Sequence, residues 1–175
     1  MKKHLLVLFC FLVFVSYAQK DSRIYGCGGF SFYESQRSVH NKLTNKGYDS
    51  LIYDDFFIVD KYKFAGYLFD YACFRFVENK LFSISFHKKT NYRNEMPFNL
   101  LLTSLKGKYD MEAYVGNDNE IIYLYKYIDG IDQVMLSFLE YKDNITEGDY
   151  AYDTVLWYTC GILSERSEQI ESQDL

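Results

Sequence analysis

Residues 81–87 read Leu-Phe-Ser-Ile-Ser-Phe-His, a stretch in which large apolar side chains alternate with smaller or polar ones. Phe82, Ile84 and Phe86 fall on one face of a strand, because successive side chains of a β-strand point to opposite faces. The other face carries Leu81, Ser83, Ser85 and His87. This alternation predicts an antiparallel strand with one buried face, preceded by a polar turn at residues 78–80.

The two segments before this strand extend the β-structure toward the N-terminus. Leu51–Val59 and Lys63–Val77 are rich in aromatic and β-branched residues, which favour strands. Together with residues 81–87 they predict a three-strand antiparallel meander, in which Phe74 and Phe76 match the buried face.

A helix is predicted before the meander, over about residues 32–46. Val39 and Leu43 have helical spacing, and Gly47 follows where a C-cap glycine is expected. The S-x-x-E pattern at Ser31–Glu34 is typical of a capping box, so the helix is expected to begin there.

The same order of elements returns in the second part of the chain. Pro97 and Gly107 bound a second predicted helix, whose apolar positions have helical spacing. Asp129-Gly130 predicts a tight hairpin between strands at 121–127 and 131–141, with both turn residues at positive φ, and a last strand is expected at 152–163. The sequence thus predicts an α+β fold of two helix-plus-antiparallel-meander halves, about residues 32–87 and 97–163, with the helices packed on one face of the sheet.

The first 18 residues have the three parts of a secretory signal peptide. Lys2 and Lys3 precede an apolar run over residues 5–15, and Ser16 and Ala18 are the small residues expected before a cleavage site. Cleavage after Ala18 would give a periplasmic or secreted protein with a single domain over residues 19–163 and a flexible polar tail at 164–175. The run is too short to span a bilayer, which takes about 20 residues.

The 175-residue chain has enough apolar material for a core, since 49% of its residues are hydrophobic and 19% aromatic. Residues 1–18 hold two of the 19 basic side chains and none of the 24 acidic ones, so the mature chain has a formal charge of −7. This charge argues against nucleic acid as a partner. No other segment is long and apolar enough to be a transmembrane segment.

The order of the elements resembles that of known exported proteins. The residues that carry the resemblance are Gly29-Phe30-Ser31, Val39, Leu43, Lys46-Gly47, Leu101, Leu105 and Lys108-Tyr109. The chain resembles small exported proteins of Gram-negative bacteria with the β-lactamase-inhibitor-protein-like fold, helix-plus-meander lipoproteins of outer-membrane assembly, and uncharacterised secreted proteins of gut bacteria. The resemblance implies an open sheet that binds protein and performs no catalysis. The chain departs from the lipoproteins in having no lipid-bearing cysteine after the leader, and the disulfides of the inhibitors do not map onto its cysteines.

Three cysteines remain after removal of the leader, namely Cys27, Cys73 and Cys160. They could form one disulfide or be small buried apolar residues. No C-x-x-C pair or complete calcium loop is present, so no metal or cofactor is expected, and residues 143–149 are interpreted as a solvated acidic loop. A small hydrolase that uses carboxylates, or Cys73 with His87, is an alternative function.

Aromatic side chains supply the candidate binding residues. Tyr123, Tyr125 and Tyr127 alternate and so point to one face of a strand, and Trp157 lies in the last strand. They could form a cross-strand ladder over a sheet or an exposed platform for a protein or glycan. Asp49-Ser50-Leu51 resembles an O-glycosylation acceptor of exported bacterial proteins, which makes Ser50 a candidate modification site.

We therefore expect an exported, non-catalytic module that binds an unknown protein at the cell envelope. A small glycan-binding module is the alternative, beside the hydrolase.

Overall fold

The computed structural model describes residues 24–115, 120–141 and 151–172, and these ranges contain an eight-stranded antiparallel sheet and three helices. The α+β class and the antiparallel sheet predicted from the sequence are confirmed. The predicted signal peptide and the acidic loop at 143–149 lie outside the described residues.

Twelve strands are described, and eight of them form the main sheet in the order β3-β4-β7-β8-β12-β11-β10-β9. The helices are α1 (Gln36–Asn45), α2 (Met96–Lys106) and α3 (Gly161–Glu171). The strands up to β8 are β1 (Gly26–Cys27), β2 (Phe30–Ser31), β3 (Leu51–Ile52), β4 (Phe56–Asp60), β5 (Lys63–Phe64), β6 (Tyr67–Leu68), β7 (Tyr71–Val77) and β8 (Lys80–Thr90). The remaining strands are β9 (Glu112–Tyr114), β10 (Ile121–Asp129), β11 (Asp132–Glu140) and β12 (Tyr152–Thr159).

The alternation at residues 81–87 gives the sheet two different faces. One row of side chains crosses five strands in register, and we call the face on which it lies the core face. The row is Phe57, Phe74, Ile84, Tyr158 and Val134. The opposite face, which we call the polar face, carries Ser83, Ser85, His87, Ser137 and Asp153. Phe74 pairs with Ile84, and Phe74 and Phe76 are both buried, as predicted.

Helix α1 begins four residues later than the S-x-x-E pattern suggests. Ser35 is the N-cap, and its side chain accepts a hydrogen bond from the Ser38 amide. Glu34 does accept from the Ser31 amide at 2.7 Å, as in a capping box, but this contact closes a turn before the helix. Val39 and Leu43 are buried, as their spacing predicts.

The β10–β11 hairpin forms where Asp129-Gly130 predicts it, with the turn displaced by one residue. Asp129 pairs with Asp132, so the two turn residues are Gly130 and Ile131. Gly130 has a φ of 65°, whereas Asp129 remains in the strand. The prediction that both Asp129 and Gly130 have positive φ is therefore wrong.

The last strand and the tail differ most from expectation. β12 ends at Thr159, and residues 161–171 form helix α3 rather than the flexible polar tail predicted from residue 164. Leu163 is buried, and Arg166 forms a 3.0 Å ion pair with Glu78. Gly161 is the first residue of the helix, and a side chain is excluded at this position because a Cβ would collide with the Ile131 carbonyl.

Candidate functional site

The four aromatic residues proposed as one binding platform do not share a surface. Tyr125 and Tyr127 pair with Leu136 and Val134, which places the tyrosines on the core face. Trp157 lies on the polar face, because its register partner in β8 is Ser85. A single platform of these four side chains is therefore ruled out by the register of β12.

The three tyrosines are also partly covered. The ring of Phe98 in α2 lies 5.5 Å from Tyr123 and 6.0 Å from Tyr125, measured between centroids. Tyr109 lies 5.0 Å from Tyr127. Tyr125 and Tyr127 are half-buried and Tyr123 is exposed at the end of this row. The three tyrosines thus form an aromatic ladder on the sheet that is partly covered by α2 and Tyr109.

The cysteines do not form the disulfide considered above. Cys27, Cys73 and Cys160 are all free thiols in the described part of the chain. Burial raises the pKa of Cys73 to about 11, and burial also raises the pKa of Cys27. Both thiols are therefore protonated near neutral pH and are poor nucleophiles, which disfavours a Cys–His hydrolase.

Ser50, the candidate for glycosylation, is half-buried just before β3. Its hydroxyl lies 3.3 Å from His40 Nδ1 on helix α1. Addition of a sugar at this hydroxyl would require the contact with His40 to break.

A chain of polar side chains runs across the polar face between β8 and β12. Ser85 Oγ lies 3.0 Å from His87 Nε2, and His87 Nδ1 lies 2.9 Å from Asp153 Oδ2. Ser85 and His87 are two residues apart on one strand and so share a face. Asp153 reaches His87 because Val155, two residues further along β12, is the register partner of His87.

The direction of each hydrogen bond in this chain follows from the tautomer of His87. In the tautomer with the proton on Nδ1, this nitrogen donates to the carboxylate oxygen of Asp153. In a neutral imidazole Nε2 is then the acceptor, and the Ser85 hydroxyl donates to it. The Tyr141 hydroxyl lies 3.5 Å from Asp153 Oδ2 and stays protonated, because burial beside Asp153 raises its pKa to about 12.

Aromatic rings flank the histidine, and two buried oxygens near it have no hydrogen-bond partner within the described ranges. The ring of Tyr71 stacks on His87 at 4.3 Å, and Trp157 meets it edge-on at 6.1 Å. Asp153 is fully buried, and its Oδ1 atom makes no hydrogen bond to the described residues. The same is true of Ser137 Oγ on the adjacent strand β11.

An apolar groove lies elsewhere, between α2 and the β5–β6 hairpin. It encloses about 130 Å³ and is lined by Tyr67, Leu68, Phe69, Met96, Pro97, Leu100 and Leu101, with Lys88 at its edge. Phe69 and Leu101 are buried, whereas Leu68, Met96 and Leu100 are 57%, 67% and 47% exposed. Lys88 is held 2.9 Å from Asp70. Sequence reasoning missed this groove, because its two walls are separated by almost thirty residues.

Neither a metal centre nor a membrane helix is described. No group of three or more His, Cys, Asp or Glu side chains within the three described ranges could hold a metal ion. Of the helices in those ranges, none combines the length and the hydrophobicity that crossing a bilayer requires.

No family model matches the chain, and neither a curated protein nor a solved structure is similar to it.

Proposed function

We propose that this chain is an exported protein that binds an apolar segment of another protein in the groove between α2 and the β5–β6 hairpin. The observation that carries the proposal is the exposure of Leu68, Met96 and Leu100 around a buried apolar floor. Contiguous exposed apolar residues around a concave surface are typical of interaction sites.

The size of the groove suits one or two large apolar side chains. A cavity of about 150 Å³ lined by apolar residues accepts a benzene ring, and this groove encloses about 130 Å³. Burial of one Leu, Met or Phe side chain contributes about 1.5–3 kcal/mol. Two anchoring side chains of a partner, together with the exposed rim, would give a specific complex.

The lining favours a protein segment over a glycan. A glycan needs several hydrogen-bond partners, and the polar groups here are the Tyr67 hydroxyl and the Lys88 ammonium, which already pairs with Asp70. The charge of −7 expected after removal of the leader would further favour a partner with basic residues beside its apolar segment.

The proposal retains the sequence-based expectations of a signal peptide cleaved after Ala18, a periplasmic or secreted location, and a resemblance to exported helix-plus-meander proteins. It also retains two halves with their helices on one face of the sheet. Two ring contacts support the last point, since His40 of α1 meets Phe57 and Phe98 of α2 meets Phe138, both on the core face.

Site-specific photocrosslinking tests the groove directly. A benzophenone amino acid replaces Leu100 in the groove or, as the matched control, Leu51, which is 59% exposed on the edge strand β3. We expect the Leu100 position to crosslink one envelope protein through a defined apolar peptide, and the Leu51 position not to do so. With that peptide in purified form, Leu68→Ser should weaken binding about tenfold or more, since burial of one Leu side chain is lost.

Identical crosslinks from positions 100 and 51 would show that the groove has no special role. Unchanged peptide affinity in Leu68→Ser would contradict the proposal in the same way.

A further inference from the structure

We propose that the polar face carries a reactive serine: Ser85 is the nucleophile and His87 the general base of an acyl-transfer site for small esters, and Asp153 positions the imidazole. This site lies apart from the groove and goes beyond the proposed function. It also replaces the sequence-based expectation that the module is non-catalytic.

The order and geometry of the three groups carry the proposal. Ser85 Oγ lies 3.0 Å from His87 Nε2, and Asp153 Oδ2 lies 2.9 Å from Nδ1 on the other side of the ring. A nucleophile within hydrogen-bond reach of a base, and a third group that orients the base, is the arrangement that activates serine in unrelated folds. Asp153 is fully buried, so water does not compete for the Nδ1 proton.

The neighbouring serines show that burial on this face does not by itself place a hydroxyl against a histidine. Ser83 and Ser137 are also buried on the polar face. Neither of them forms a hydrogen bond with a histidine in the described residues, and Ser137 Oγ has no partner there at all.

The surroundings limit the substrate to a small acyl group. The His87 side chain is 14% exposed and Ser85 is buried, which disfavours a bulky acyl group. The rings of Tyr71 and Trp157 both contact the imidazole. We therefore assign to the site an acetyl or other short acyl group on an aryl alcohol, whose ring can pack against these aromatic side chains.

A donor for the developing oxyanion must come from a side chain. β8 has neighbours on both sides, so the ladders occupy its backbone amides. Trp157 is directly opposite Ser85 in the β8–β12 ladder, so both residues lie on the same face of the sheet. Its indole N–H is the side-chain donor that we assign to the oxyanion.

The reaction is then acylation followed by hydrolysis. Ser85 Oγ bonds to the ester carbonyl carbon as its proton passes to His87 Nε2. The bond between that carbon and the leaving oxygen breaks, the electron pair goes to the oxygen, and His87 returns the proton to the departing alcohol. Water then bonds to the acyl carbon and gives a proton to Nε2, and Ser85 leaves and regains its proton, with the acid as product.

Covalent labelling tests the proposal with two probes, diisopropyl fluorophosphate and p-nitrophenyl acetate. Intact-mass measurement of the folded wild-type protein should show one adduct per chain, and peptide mapping should place it on Ser85. The matched control is Ser83→Ala, which should label at the wild-type rate, whereas Ser85→Ala should not label. His87→Gln should label at least a hundredfold more slowly.

The positioning role of Asp153 needs a readout that simple loss of stability would not change. The ¹⁵N chemical shifts of the imidazole should show His87 protonated at Nδ1 in the wild type, and Asp153→Asn should mix the two tautomers while the protein remains folded. Labelling of Ser85 and crosslinking from position 100 are measured separately on otherwise unaltered protein, so failure of one proposal can be told from failure of the other.

The absence of any adduct on folded wild-type protein overturns the proposal without reference to a variant. Equal labelling of Ser83 and Ser85, or an unchanged rate in His87→Gln, overturns it as well.

Discussion

Two buried serines of the polar face, on β8 and β11 with β12 between them, differ in whether their hydroxyl has a hydrogen-bond partner. Ser85 Oγ is hydrogen-bonded to His87, whereas Ser137 is almost fully buried with no hydrogen-bond partner for Oγ among the described residues. A buried hydroxyl without a partner costs about 1–3 kcal/mol of desolvation, whereas a satisfied one contributes about 1 kcal/mol net.

Alanine substitution should therefore shift stability in opposite directions at these two positions. We expect Ser137→Ala to leave the free energy of unfolding unchanged or to raise it by up to about 1 kcal/mol, and Ser85→Ala to lower it by about 1 kcal/mol. Urea unfolding followed by tryptophan fluorescence measures both, because Trp157 reports on this face. A clear loss of stability in Ser137→Ala would show that its hydroxyl has a partner.

At the scale of a single element, α3 is a polar helix that packs against the core through Leu163 and the partly buried Ile170. Leu163 is buried and Ile162, its neighbour, is 57% exposed. Asp132 supplies the cap that Cys160 lacks, since its carboxylate accepts from the Gly161 amide at 2.9 Å. The negative charge there also complements the positive end of the helix dipole.

We expect Leu163→Ala to lower the free energy of unfolding by about 2–4 kcal/mol, because it removes buried atoms and leaves a cavity. The matched Ile162→Ala should change it by less than about 0.5 kcal/mol, as is usual at exposed positions. Thermal unfolding of the two variants gives the comparison. Similar losses in both would mean that α3 does not dock through Leu163.

How far the sequence predicts an element depends on how local its signal is. Val39 with Leu43, and Gly130 in its turn, act within a few residues, so α1 and the β10–β11 hairpin were predictable. The first residue of α1 was not predictable, because the contact between Glu34 and the Ser31 amide closes a separate turn before the helix. α3 was missed because only two apolar residues pack against the core, Leu163 and Ile170, and they lie seven residues apart in an otherwise polar segment.

At the scale of the whole molecule, one strand pairing creates both the sheet and the candidate reactive site. β12, the last of the described strands, pairs with β8 through eight residues, from Tyr152 opposite Thr90 to Thr159 opposite Ser83. Ser85 and His87 could be recognised as neighbours from their spacing alone. Asp153 could not be placed beside them, since the contact spans 66 residues and depends on this non-local pairing.

The β8–β12 pairing also predicts how the chain behaves when it is divided. A fragment of residues 19–92 would keep β3, β4, β7 and β8, but the long edge of β8 would be unpaired, and a fragment of residues 93–175 would lack the partner of β12. Exposed long edges favour aggregation over independent folding. We expect neither fragment alone to unfold cooperatively, and an equimolar mixture to regain a cooperative transition with native-like NMR spectra.

The matched control for this experiment is a full-length chain with a protease site inserted between Tyr92 and Arg93, cleaved only after folding. This site lies in the loop between β8 and α2, and the cleaved protein should remain assembled, because the ladder and not the loop holds the two sets of four strands together. A cooperative transition from either fragment alone would show that the strands on one side of the β8–β12 ladder fold by themselves. In that case the polar site would form only when two independently folded halves dock, and labelling of Ser85 would depend on the concentration of the mixed fragments.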